Sequence, residues 1–229
     1  MKIRHLIVFI LIITLYIPVF AQDNKEKEVE EIYLKNPELR VIKEQVLSSD
    51  FQTQLVALDS IEGMVKDGIV NTEVENLVVI LGTEGMSSIK YSGTIVINDF
   101  PEVRRKACTI LGKVGTEKSK AALIQILLSE KEAIVKAEAA YALGIIGTDE
   151  KGEAVSAIDW VIEREDTVNP DNNFAYAAIL ALEKIADKNH GLNNSAGYAA
   201  LIKIAQGNYI RTVKDKALQT IKGMRKYNR

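Results

Sequence analysis

Apolar and small residues recur along the chain in a fixed frame. Val103, Ala107, Leu111 and Val114 form its clearest copy, closed by Gly115. The frame returns as Val135, Ala139, Leu143, Ile146 and Gly147, then as Phe174, Ala178, Leu182, Ile185 and Ala186, then as Val213, Ala217, Ile221 and Met224. A weaker copy, Thr53, Ala57, Ile61 and Met64, precedes them, and the steps between copies are 50, 32, 39 and 39 residues. Within a copy the spacing of 4, 4 and 3 residues puts all four side chains on one face of a helix. The central alanine admits a neighbouring helix, and the closing glycine suits a left-handed helix end. Repeat periods of this size mark stacked supersecondary units rather than a single globular core.

Each copy is followed by a second apolar stretch: Val74 to Leu81, Ala121 to Leu128, Val155 to Ile162 and Tyr198 to Ala205. Each unit therefore reads as helix, short turn, helix. Pro101 sits where it opens the helix carrying Val103, because a first-turn proline loses no intrahelical hydrogen bond. Asn36-Pro37 has the same form before a segment with Leu39, Ile42, Val46 and Leu47 at helical spacing, which suits a cap over the first unit. The pattern predicts an all-α solenoid of stacked helical hairpins over residues 37–229.

The runs VRRKACTILGKVGTEKSKAALIQILL and IVKAEAAYALGIIGTDEKGEAVSAI carry a specific resemblance. They are similar to bacterial HEAT repeats of the phycobilisome-lyase-like type, with a V-R-x-x-A-x-x-x-L-G-x-[IV]-G first helix and an A-L-I-x-x-L second helix. The match is close over 101–162 and looser over 173–224, where Ala186 stands in place of the closing glycine. It is weak over 51–81 and absent before residue 37. The resemblance implies a solenoid that binds other macromolecules. It implies no lyase activity, because the repeat is a scaffold shared by many functions.

The N-terminus has a different character. Lys2, Arg4 and His5 precede an uncharged run of 15 residues, Leu6 to Phe20, and Val19-Phe20-Ala21 offers a cleavage site. This is the layout of a secretory signal peptide over 1–21, too short for a membrane span of about 20 residues. The expected mature chain begins at Gln22, is exported, and resides in the periplasm; secretion or an uncleaved anchor are the alternatives. Residues 22–36 are rich in charge and read as a solvated tail or a frayed helix. Removing 1–21 takes two of the 29 basic residues and none of the 31 acidic ones. That balance gives no general attraction to nucleic acid. The single cysteine, Cys108, cannot form an internal disulfide; its place beside Ala107 suggests a buried thiol, the alternative being an exposed one that dimerises the protein.

Candidate chemistry is sparse. His190, the one histidine after residue 21, has no partner at metal-ligand spacing, and neither a phosphate loop nor a nucleophile elbow is present. No cofactor, metal or catalytic residue is expected, and the chain reads as non-enzymatic. Binding positions come instead from the second helices, whose alignment groups Val79, Gln125, Asp159 and Lys203. Trp160 stands beside them at the place that Ile80, Ile126 and Ile204 fill elsewhere. It is either a binding anchor or a filler of core space.

An insertion at about 82–100 contains Ile89, Tyr91, Ile95 and Ile97 alternating about Ser92-Gly93. It reads as a short hairpin or an irregular loop, serving either as part of a binding face or as a flap over the divergent first unit. The C-terminal helix, about Ile210 to Met224, has a basic outer side. From residue 203 onward eight basic residues face one acid, Asp215, whereas 149–166 holds seven acids against Lys151 and Arg164. Lys214, Lys222, Arg225 and Lys226 are thus candidates for docking a partner, with a solvated cap as the simpler reading. Two functions compete. One is a protein-binding scaffold in the cell envelope. The other is attachment of the basic end to anionic lipid or cell-wall polymer.

Overall fold

The computed structural model describes residues 37–86, 89–168 and 170–227. The signal segment and the charged tail lie outside them. The chain divides into two compact units, residues 1–42 and 43–229. Among the described residues, ten α-helices and one two-stranded hairpin account for the regular structure. In order they are α1 (Pro37–Val46), α2 (Phe51–Lys66), α3 (Thr72–Thr83), β1 (Tyr91–Ser92), β2 (Ile95–Val96), α4 (Pro101–Val114), α5 (Glu117–Ser129), α6 (Ala133–Ile146), α7 (Glu153–Val168), α8 (Asn172–Asn189), α9 (Ala196–Gln206) and α10 (Arg211–Met224), followed by a 3-10 turn, Arg225–Tyr227.

Local chemistry fixes the helix ends. The side chains of Asp50, Asn71, Thr116 and Asp171 accept backbone N–H groups in the first turns of α2, α3, α5 and α8. Asp149 does the same for α7, accepting from Ala154 N and Val155 N at 3.0 Å. Each satisfies donors that a helix start leaves unpaired. Pro101 opens α4, as its position suggests. Gly115 and Gly147 end α4 and α6 in the left-handed conformation, at φ 70° and 69°. Ala186 does not end α8. With a Cβ it gains nothing from the left-handed region, so the helix runs on to Asn189 and His190 takes the cap at φ 56°.

The helices from α2 onward form a two-layer α-solenoid. The first layer is α2, α4, α6, α8 and α10, each packed on the next; the second is α3, α5, α7 and α9. Ala57, Ala107, Ala139, Ala178 and Ala217 are fully buried, as the repeat frame requires. The tightest approaches are made by other residues. A Cβ on Gly112 would lie 2.9 Å from Ala142 Cβ, and one on Gly144 would lie 2.6 Å from Ala181 Cα. The Leu-Gly pair in ILGKVG and ALGIIG thus sets the spacing between α4, α6 and α8. In α1, Leu39, Ile42 and Val46 are buried, while Leu47, just after the helix, is exposed.

Three local features are set by contacts distant in the chain or by a helix end. Ile210 caps α10 and is exposed, because the helix begins after it. Helix α7 continues through Val168, and Glu165 pairs with the buried Lys136. The polar stretch 187–194 is likewise engaged. Asn189 donates to Gly147 O and Ile185 O at 2.6 Å, Asn193 to Asp149 O at 3.0 Å, and Asn194 to Gly152 O at 3.1 Å. These amides tie the turn after α8 to the turn after α6.

Candidate functional site

A second ladder joins the repeats at the opposite end of the helices. The residue after the first apolar position of the frame is Gln54, Arg104, Lys136, Ala175 or Lys214. Four of these five reach to the C-terminal end of a neighbouring second-layer or capping helix, Gln54 and Lys214 to the one before and Arg104 and Lys136 to the one after. Gln54 donates to Ser48 O at 2.8 Å and Lys214 to Gly207 O at 3.1 Å, while Lys136 pairs with Glu165. Arg104 is the most committed. It holds Glu130 with two bonds, Nε to Oε2 at 2.6 Å and Nη2 to Oε1 at 3.2 Å. It also donates to Asp99 Oδ1 at 2.7 Å. Burial alone pushes the Glu130 carboxyl up. The Arg104 guanidinium and the backbone amides of Lys131 and Glu132 outweigh it and hold the group below the usual glutamate range. The repeated Val-Arg and Val-Lys pairs signalled this ladder in the sequence, and it serves packing rather than binding. Cys108 is also structural: it is fully buried, and desolvation pushes its thiol well above its usual value.

The outer face of the second layer carries the candidate anchor. Buried positions align Val78 with Leu123, Ile158 and Leu201, and Leu81 with Ile126, Val161 and Ile204. In that register Trp160 falls with Ile80, Gln125 and Lys203, while Asp159 falls with Val79, Ile124 and Ile202. The sequence alignment was one residue out in α7 and in α3. The core positions of α7 are taken by Ile158 and Val161, so Trp160 does not fill core space. It is 48% exposed, and the Arg164 guanidinium lies 4.7 Å from its ring centroid. Gln125 is exposed beside it in the stack. Lys203 pairs with Glu163 at 3.2 Å. Asp159 is half-buried, and its carboxyl is raised first by burial and then by the Glu163 charge, against the pull of Lys203. The structure thus brings Gln125, Asp159, Trp160 and Lys203 onto neighbouring second-layer helices.

Tyr91 belongs to a different feature. The insertion forms an antiparallel hairpin pairing Tyr91 with Val96 and Ser92 with Ile95. Its base is pinned by the buried Asn98, which accepts from Lys90 N at 2.7 Å and donates to Glu84 Oε1 at 3.0 Å. Gly85 makes this possible at φ 76°, since a Cβ there would meet Asn98 O at 2.3 Å. The tip carries Tyr91 and Ile95, 61% and 69% exposed. The tip is therefore open to solvent, while at the end of the insertion the Phe100 ring lies 5.5 Å from that of Phe51 in α2 of the first repeat unit.

The basic end is partly neutralised within the chain. Lys216 pairs with Glu183 at 2.6 Å, Lys226 with Asp187 at 3.0 Å, and Arg211 with Asp215 at 3.5 Å. Hydrogen bonds from Tyr227 and Lys226 hold the Asp187 carboxyl below its usual value. The four lysines and arginines singled out in the sequence are therefore not equivalent. Lys214 and Lys226 hold structure, whereas Lys222 and Arg225 form no ion pair among the described residues. Beside this end, a groove of about 260 Å³ opens between α6, α8 and α10, lined by Tyr141, Tyr176, Leu180, Ile210 and Val213.

Among the described residues no group of three or more His, Cys, Asp or Glu side chains is placed to hold a metal ion. No helix among them is long and apolar enough to cross a membrane. A sequence search against curated proteins gave no match. A family model described as HEAT repeats matches residues 95–159, from the second strand of the hairpin through α4, α5 and α6 into α7, so the heart of this solenoid is similar to HEAT repeats.

Proposed function

We propose that the protein is a non-catalytic, protein-binding scaffold of the bacterial cell envelope. Solenoids of this kind generally serve as interaction scaffolds, and the chain presents a surface suited to that use. Trp160 carries the reading. A large aromatic side chain is left half in water at the middle of α7, with Arg164 stacked on it and Gln125 and Lys203 on adjacent helices. Tryptophan and arginine are the side chains most enriched at binding hot spots. The hairpin tip around Tyr91 supplies a second exposed apolar surface. Attachment to anionic polymers through the basic end has less support, because Lys203, Lys216 and Lys226 are already paired with carboxylates.

The test is capture of partners from envelope extract by the full chain and by Trp160→Ala. Loss of the co-purifying protein with an unchanged thermal melt is the expected result. Equal capture by both proteins sinks the role of Trp160. A product retaining Met1, found by N-terminal sequencing, sinks export with cleavage after Ala21.

A further inference from the structure

In every interior first-layer helix one stripe is covered by the next helix of the layer. The stripe runs through Leu55, Leu58 and Glu62 in α2, Arg105, Cys108 and Gly112 in α4, Ala137, Ala140 and Gly144 in α6, and Tyr176, Ile179 and Glu183 in α8. Its central residues, Leu58, Cys108, Ala140 and Ile179, are all fully buried. In α10 the same stripe is Asp215, Leu218 and Lys222, continued by Arg225 one turn on. Leu218 is 46% exposed, and no described element covers it.

The charge on this stripe is inverted. Where α2 and α8 place an acid, the next helix answers with lysine: Glu62 meets Lys113 at 2.5 Å and Glu183 meets Lys216 at 2.6 Å. At the same position α10 presents Lys222, with Arg225 beyond it and Arg211 at its start. The single acid on the stripe, Asp215, is paired to Arg211. A helix of the kind already in the stack, with a lysine at the junction, is repelled here. Two α10 helices of separate copies, each basic, repel one another as well.

We propose that the open face of α10 docks an acidic amphipathic helix from a partner protein, in the position of the next first-layer helix. Its apolar stripe covers Leu218, and its carboxylates answer Lys222 and Arg225. This surface is separate from the second-layer face of Trp160, so either can hold without the other.

The probe is a synthetic amphipathic peptide of about 18 residues, five helical turns, with leucine and alanine on one face and glutamate flanking it. A control peptide has lysine in place of each glutamate. Binding to the full chain is followed by anisotropy. The acidic peptide binds and the basic one does not, and added salt weakens the complex. Charge reversal in K222E/R225E lowers affinity by about tenfold or more, as does Leu218→Asp, with circular dichroism unchanged. Trp160→Ala binds like the unaltered chain. Equal binding of both peptides overturns the proposal, as does loss of binding in Trp160→Ala with K222E/R225E unaffected. It is also overturned if sedimentation shows the chain pairing with itself through a contact abolished by Leu218→Asp, because the occupant is then a second copy.

Discussion

The middle of the stack and its two ends join their first-layer helices in different ways. Between α4, α6 and α8 the joint is bare backbone against small side chains: Gly112 lies on Ala142, and Gly144 on Ala181. Between α2 and α4, and between α8 and α10, the same position is a glutamate that reaches across to a lysine. A close-packed joint loses every contact when it opens by a fraction of an ångström. A joint held by long, partly solvated side chains gives more freely and contributes little. The middle therefore sets the geometry, and the ends adapt to whatever lies beside them. The groove between α8 and α10, with Tyr141 and Tyr176 in its walls, opens at one of these looser joints.

The largest effect on this contrast should come from the buried pair beneath the middle. Arg104→Met leaves Glu130 charged and without its partner, and should cost about 3–5 kcal/mol in denaturant titrations. The same pair sets a pH dependence. Because Glu130 titrates below its usual value when folded, its contribution is present at neutral pH and is lost as pH falls through that lowered value. Acid titration of stability should show this loss in the unaltered chain and a flatter curve in Arg104→Met. Identical curves would show that the pair carries no such linkage.

Gly144→Ala tests the middle joint directly. A new Cβ 2.6 Å from the Ala181 backbone forces α6 and α8 apart, at a cost of about 1–3 kcal/mol. Gly223→Ala is the counterpart at the end of the stack, where an added Cβ meets nothing within 4 Å. It should stabilise by about 0.5–1 kcal/mol, since glycine within a helix is unfavourable relative to alanine. One substitution, two positions and opposite signs in a thermal melt define the contrast; the same sign at both would dissolve it. Lys216→Ala should move stability least, by about 0.2–1 kcal/mol, and the difference should fade in high salt.

The solenoid was legible because its signals are local. A period of apolar side chains, a proline at a helix start and glycines at helix ends act within a few residues of themselves. The joints were legible only in part. Alanine at the centre of each frame is buried as expected, but the residues that limit helix approach in the middle of the stack are the glycines one place after Leu111 and Leu143. The site was harder to read. Trp160 was placed in line with Ile126 and Ile204, and the error was a shift of one residue. An apolar run such as Val-Ser-Ala-Ile-Asp-Trp-Val-Ile offers two registers of similar hydrophobicity. Only packing against α5 and α9 selects the one that leaves the tryptophan outside. The neutralised basic end was unreadable for another reason: Glu183 and Asp187 lie more than 30 residues before the lysines they meet.

The chain also carries its own stopwatch. Cys108 is its only thiol, lies on the stripe of α4 that α6 covers, and is kept protonated by burial. A thiol reagent reaches that sulfur only during the intervals when the two helices part. The rate at which the unaltered protein reacts in native buffer therefore counts those openings. No label needs to be introduced, and no second cysteine blurs the signal.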